Sequence, residues 1–87
     1  MKGTWRTYAE TTADALLPLP ENVKISPVSA ATISVNPFTA DRMLLDFVPL
    51  KEGDWVVQNG GNSGVGQMAI QLARIRGFKT VNIIRDR

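Results

Sequence analysis

Apolar positions recur at clean helical spacing only toward the C-terminal end of the chain. Val65, Met68, Ala69, Leu72 and Ala73 fall at i, i+3, i+4, i+7 and i+8, one face of an amphipathic helix. Gly77 follows where a left-handed cap residue is needed, with Phe78 beyond it for the usual hydrophobic contact. Trp55 to Gln58 reads as a strand before this helix. After it, Thr80-Val81-Asn82-Ile83-Ile84 is rich in β-branched residues and reads as a second. Two strands joined by a crossover helix make a βαβ unit, so the strands must run parallel.

Upstream the pattern is less regular. Trp5-Arg6-Thr7-Tyr8-Ala9 is strand-like, Glu10-Thr11-Thr12 is a polar turn, and Ala15-Leu16-Leu17-Pro18-Leu19-Pro20 is apolar but carries two prolines. Proline removes ladder donors, so this stretch is at most an edge strand, and residues 1–25 read as a loose β-arm. Tyr8 is expected to pack beside Trp5. Ser26-Pro27 opens a short helical segment through Ala30 and Ala31, with Ser as N-cap and Pro in the first turn. Asn36-Pro37 repeats the device, with Asn36 as N-cap of a helix running to about Phe47, because Pro49 biases Val48 away from helix. Phe38, Leu44, Leu45, Phe47 and Val48 form a broad, broken apolar stripe, as for a linking helix between two bodies. Thr39, Asp41, Arg42 and Asp46 are polar, the first three most simply solvated. Lys51-Glu52-Gly53-Asp54 is a turn. The organisation expected is a β-arm (1–25), linking helices (26–50) and a βαβ unit (51–87). The fold class is α/β: a partial Rossmann-type βαβ unit, a fragment of a doubly wound domain.

Composition narrows the chemistry. Eighty-seven residues with 44% apolar content suffice for one small domain. Ten Lys and Arg are interspersed with eight acids, net +2, without the dense basic stripe of a nucleic-acid binder. With no Cys and no His, disulfides, zinc sites of the structural kind, and His-base or Cys-nucleophile catalysis are excluded. No apolar run approaches a membrane span, and the first residues lack the apolar core of a secretory signal and the look of a transit peptide. Arg74, Arg76, Lys79, Arg85 and Arg87 face only Asp86 at the C-terminal end; such a cluster either attracts phosphate or is a solvated helix and strand end.

The loop between strand and helix carries the candidate site. Gly61-x-Ser63-x-x-Gly66 fits the three-glycine dinucleotide fingerprint with Ser63 in the second slot. Gly61 is expected to permit the tight turn, Ser63 to let the backbone approach a pyrophosphate, and Gly66 to let helix and strand pack closely. Helix N–H groups then face the negative charge. At the end of the second strand, an acid would bond a free ribose 2′-hydroxyl, whereas arginine accommodates a 2′-phosphate. Arg85-Asp86-Arg87 offers two forked guanidinium groups, which favours NADP; Asp86 keeps NAD open, and so does a frayed, solvated terminus keep a structural reading open. Asn36 and Asn59 are the other polar candidates.

Four separated motifs together resemble a known family. Gly3-Thr4-Trp5-Arg6-Thr7, Ala31-Thr32-Ile33-Ser34-Val35-Asn36-Pro37-Phe38-Thr39-Ala40, Gln58-Asn59-Gly60-Gly61-Asn62-Ser63-Gly64-Val65-Gly66-Gln67 and Ile83-Ile84-Arg85-Asp86-Arg87 resemble, in this order, the mitochondrial trans-2-enoyl thioester reductases. Those are zinc-free members of the medium-chain dehydrogenase/reductase superfamily. The resemblance implies NADPH-dependent reduction of the 2,3 double bond of enoyl thioesters, carried on acyl carrier protein or CoA, in mitochondrial fatty-acid synthesis. It implies a mitochondrial location and contacts to NADPH: Asn36 near the nicotinamide half, Asn62, Ser63, Gly64 and Val65 at the pyrophosphate, and Arg85, Asp86 and Arg87 at the adenosine phosphate. Family members are several times longer, and the matched segment joins their substrate and cofactor domains. Their catalytic tyrosine lies upstream of it, so no residue here inherits a catalytic role. Asp41 stands where the family typically has Tyr in Thr-Ala-Tyr-Arg-Met, a departure that bears on packing of the linking helix or on contacts near the cofactor and whose effect the sequence leaves open.

A two-stranded parallel pair with one crossover helix leaves a sheet face uncovered, whereas parallel sheets normally have both covered. The isolated chain is therefore expected to be marginally stable, or held by self-association or a partner chain. The enzyme-fragment reading stands beside a second: a truncated, non-catalytic nucleotide-binding or protein-interaction module from the same family.

Overall fold

The computed structural model describes Gly3 and residues 5–86. Its regular elements are α1 (Pro27–Thr32), α2 (Asn36–Leu45), β1 (Trp55–Asn59), α3 (Gly64–Arg76) and β2 (Lys79–Ile83), preceded by a single 3-10 turn at Ala13–Ala15. β1 and β2 pair in parallel, with Trp55 opposite Lys79 and Asn59 opposite Ile83. The βαβ unit expected from the periodicity is present, with β2 starting one residue earlier than its β-branched run.

Both ends of α3 follow from local chemistry. Ser63 is extended (φ −73°, ψ 167°) and its hydroxyl oxygen accepts from the Gly66 N–H, satisfying one orphan donor of the first turn. At the other end Gly77 takes φ 80°. The Gly77 N–H then reaches the Arg74 carbonyl at 3.2 Å and the Phe78 N–H the Ala73 carbonyl at 2.8 Å, the pair of bonds that closes a helix on a left-handed residue. The turn before β1 is tied to the same place. Asp54 accepts from the Lys51 N–H at 2.8 Å, the Gly53 N–H donates to the Gly77 carbonyl, and the Lys79 N–H donates to the Asp54 carbonyl, both at 2.8 Å. These bonds fix where both strands begin.

The core is small and lies where α2 crosses α3. Ala40, Leu44, Ala69 and Ala73 are its buried apolar residues. Three are alanines, so the two helices approach closely. Val65, Met68 and Leu72 flank this line and are half-buried. The larger members of the α2 stripe stay outside it: Phe38, Leu45, Phe47 and Val48 are each half-exposed or more. The stripe is thus broad because only one of its sides is covered by described residues.

Three expectations are corrected. Residues 5–25 contain no strand and are exposed throughout; β1 and β2 pair with each other, so no strand edge among the described residues is used by the arm, and an unpaired segment has no ladder to join. Tyr8 does not pack on Trp5, and both rings are almost fully exposed. The chain bends at Arg6 and Thr7 between them, so the two rings are not neighbours on one strand face. Asn36 is not an N-cap. Val35 holds that position with helical angles (φ −85°, ψ −71°) and no side-chain cap bond, so the chain enters α2 already turning and the Asn36 side chain is released for another contact. The Ser26 cap of α1 forms as expected, its Oγ accepting from the Ser29 N–H at 3.1 Å.

The two faces of the sheet differ in kind. Toward α3 stand Val56, Gln58, Thr80 and Asn82; away from it stand Trp55, Val57, Val81 and Ile83, which are 44–64% exposed. The more apolar face is the bare one. The Lys79 ammonium lies 5.2 Å from the Trp55 ring centre, covering one corner of it through a cation–π contact.

Candidate functional site

The loop that follows β1 turns at Gly60, which has φ 60°, a conformation that glycine takes without steric cost. The tight turn expected of Gly61 is therefore made one residue earlier. Gly61 is instead buried against β2, where a Cβ would fall 2.8 Å from the Asn82 Cβ. Gly66 has the expected role. A Cβ there would lie 2.5 Å from the Gly60 carbonyl oxygen and 2.8 Å from that of Gly61, so only glycine lets the first turn of α3 sit directly on the loop.

This close approach sets the direction of the backbone donors. The Ser63 N–H bonds the Gly60 carbonyl at 2.9 Å and the Gln67 N–H bonds the Ser63 carbonyl at 2.9 Å. Gln67 Nε2 holds the Asn62 carbonyl at 2.9 Å. The N–H groups of Gly64 and Val65 have no intrahelical acceptor at the start of a helix, and no carbonyl among the described residues takes them up. They carry the positive end of the α3 dipole.

Beyond the C-terminal ends of β1 and β2 lies a cleft of about 390 Å³, lined by Asn59, Gly60, Asn62, Ser63, Ile83, Ile84 and Arg85. The loop and the residue after β2, far apart in sequence, line one crevice because the strands are parallel and adjacent. Ligands of open α/β sheets bind in this position. The crevice brings together Asn62, Ser63 and Arg85, with Gly64 and Val65 next along the chain. Asp86 is exposed just past it, and Arg87 lies outside the described residues.

Asn36 reaches the same region from α2. A Cβ on Gly64 would lie 2.5 Å from Asn36 Nδ2, so the amide is seated against the first residue of α3. The docking of α2 on α3 is reinforced by Arg76 Nη2 donating to Asp41 Oδ1 between the two helices. Asp41 is thus paired across the interface and not simply solvated. Arg42, by contrast, pairs with Asp46 one turn away on the exposed side of α2.

A dinucleotide fits this architecture on the cradle's own geometry: a glycine turn with open space beside it at Gly60, two orphan helix amides next to it, and Arg85 in the lining. Sequence reasoning assigned no contact to Gly60, Ile83 or Ile84, and it left Asn59 as a polar candidate without a role. Their signal was the strand ends themselves, since the residues following two adjacent parallel strands share one crevice. Among the described residues no group of three or more His, Cys, Asp or Glu is placed to hold a metal ion. None of their helices is long and apolar enough to cross a membrane.

No family model matches the chain. The mitochondrial enoyl-[acyl-carrier-protein] reductase of Yarrowia lipolytica is 53% identical over 85 residues, which is 98% of this chain and 22% of that protein. The human enzyme of the same description is 52% identical over the same shares. Among solved structures, the mitochondrial 2-enoyl thioester reductase Etr1p/Etr2p heterodimer from Candida tropicalis superposes with a TM-score of 0.70 at 45% identity, covering 72% of this chain and 18% of that one. The Etr1p complex with NADP and crotonyl-CoA gives the same values. The quinone oxidoreductase of Thermus thermophilus, solved also with NADPH, superposes at 0.58 with 28% identity over 84% of this chain and 24% of that one. The chain spans about a fifth of the length of the curated relatives it matches. In sequence and in fold, this chain is similar to one segment of the mitochondrial enoyl-[acyl-carrier-protein] reductases.

Proposed function

We propose that this chain is the cofactor-cradling segment of an NADPH-dependent 2-enoyl thioester reductase of mitochondrial fatty-acid synthesis, an enzyme that reduces the trans-2 double bond of enoyl-ACP or enoyl-CoA. In that reading residues 1–25 end the substrate domain, 26–50 link the domains, and 51–87 begin the dinucleotide-binding domain. The single observation that carries it is the crevice past β1 and β2, with the glycine loop on one wall and Arg85 on the other. Support comes from relatives named as mitochondrial reductases and from a similar structure holding NADP and crotonyl-CoA.

Hydride donation to the conjugated double bond is the chemistry such a cofactor supplies. The chain's own residues bind and orient. The Gly64 and Val65 amides, with Asn62 and Ser63, face the pyrophosphate. Arg85, with Asp86 and Arg87 beside it, takes the ribose 2′-phosphate as a forked donor. Asn36, seated on Gly64, stands on the nicotinamide side. No residue of this segment is assigned a proton transfer, so the segment by itself turns over no substrate, and sustained oxidation of NADPH by a crotonyl thioester would overturn that statement.

Calorimetric titration with NADPH and NADH tests the cofactor assignment. The expected result is tighter binding of NADPH, with the preference abolished in Arg85→Ala; equal affinities in the unaltered chain would refute the role of Arg85. A protein-contact role stands beside this one on a separate observation, the exposed apolar face of Trp55, Val57, Val81 and Ile83. Faces of parallel sheets are normally covered, and the expected occupant is further polypeptide, whether of the same protein, a second copy or a partner chain.

A further inference from the structure

Three polar side chains that take no part in the reading above meet beneath the glycine loop. Gln58 and Asn82 are register partners on β1 and β2, both on the face toward α3. Gln58 Nε2 donates to Asn82 Oδ1 at 2.7 Å and to the Gly66 carbonyl at 3.1 Å. Asn82 Nδ2 passes the chain on to Thr80 Oγ1 at 3.2 Å. A primary amide has two hydrogens, so Gln58 can make both bonds at once. One side chain thereby ties both strands to the first turn of α3.

The geometry points to Gln58 as the positioning residue of the cofactor loop, with Asn82 as its anchor. The Gly66 N–H is held by Ser63 Oγ at 3.0 Å and its carbonyl by Gln58, so this residue is fixed on both sides. Gly64 and Val65 immediately precede it, and the aim of their free amides follows its placement. Gly61 closes the arrangement, because its Cα leaves space for the Asn82 side chain and for nothing more. The polar character of this sheet face is then explained: an apolar residue at position 58 would fill the space and hold neither β2 nor the helix start. Gln58 touches nothing in the crevice wall formed by Arg85, so its effect falls on the pyrophosphate half of the site. The inference rests on the cofactor reading proposed above.

Gln58→Met keeps the length of the side chain and removes both donors. Two readouts on the whole chain decide the matter. The first is amide hydrogen exchange without ligand: exchange at Gly66 and Gln67, whose N–H groups are both bonded to Ser63, rises in Gln58→Met while that at Ala73 and Ile75 is unchanged. The second is affinity for NADPH against adenosine 2′-monophosphate, which carries the 2′-phosphate and no pyrophosphate. NADPH binding weakens about tenfold, the loss expected for two hydrogen bonds, while the monophosphate stays within about twofold. Gln71→Met, the same exchange on the exposed side of α3, leaves both affinities unchanged. Should Gln58→Met melt the sheet, Asn82→Ala removes the anchor and carries the same readings, with a smaller loss for NADPH. Unaltered exchange at Gly66 and Gln67 would overturn the inference whether or not the chain binds nucleotide, and so would equal loss of both ligands. No NADPH binding by the unaltered chain, together with faster exchange at Gly66 in Gln58→Met, would instead refute the cofactor reading and leave the clamp standing.

Discussion

The two faces of one two-stranded sheet carry opposite kinds of residue for opposite reasons. The face under α3 is polar at Gln58, Thr80 and Asn82, yet each of these groups is joined in one hydrogen-bonded chain that ends on the helix. Gln58 and Thr80 are half-buried and Asn82 is exposed; polar groups withdrawn from water are tolerated when they are paired, and here the pairing fixes the loop. The other face is apolar at Trp55, Val57, Val81 and Ile83 and, apart from Lys79 over the Trp55 ring, lies open among the described residues. The helix-covered face uses its side chains to set geometry, whereas the bare face holds apolar area that contributes stability only when something covers it. Substitutions on the two sides should therefore read out in different measurements.

The largest effect is expected at Gly66, where the covered side is tightest. Gly66→Ala drives a Cβ into two loop carbonyls. It should cost about 3 kcal/mol in urea denaturation, despite the roughly 1 kcal/mol that alanine gains over glycine in a helix. Next is Ala73→Leu, which forces a branched side chain between α2 and α3 at a position with no exposed surface. A loss of about 2 kcal/mol follows from overpacking, and the Asn36 amide should move off Gly64, seen as a shift of the Gly64 amide resonance. Ser63→Ala removes the cap of α3 and should cost about 1 kcal/mol. A melt unchanged by it would mean that the α3 start is held by other bonds. The smallest change in stability is expected on the bare face. Val57→Lys should leave the unfolding free energy of the monomer within about 0.5 kcal/mol, yet lower any concentration-dependent association seen by analytical ultracentrifugation. If Val57→Lys melted the chain and left association untouched, the contrast between the faces would be wrong.

The parts legible in the sequence are those whose causes are local. The α3 stripe and its Gly77 end each lie within one or two turns of the residues they govern, and both appear in the structure. The need for glycine at position 66 was legible too, because the fingerprint encodes close packing of helix and strand, although what the helix meets there is the loop just past the strand. What sequence did not show depends on partners distant along the chain. Asp41 reads as a solvated helix residue until Arg76 is brought beside it, thirty-five positions later. Asn36 reads as a cap until α2 docks on α3 and places its amide on Gly64. The β-arm had the composition of a strand, but a strand is completed by a neighbour, and none of the described residues supplies one. Gln58 escaped notice for a related reason. Within a strand it reads as an ordinary polar interruption, and only the register with Asn82 gives it work.

The central claim is that the covered side, through the loop and the ends of both strands, forms a nucleotide crevice that the bare side takes no part in. Amide chemical-shift mapping of the 87-residue chain on addition of NADPH tests this most directly. Perturbed resonances should cluster at Gly60 to Val65 and at Ile83 to Arg85, with Trp55, Val57 and Val81 unmoved. Perturbation centred on Trp55, Val57 and Val81, or on the α2–α3 groove at Phe38, Met68 and Ile75, or no perturbation at saturating NADPH, would contradict it.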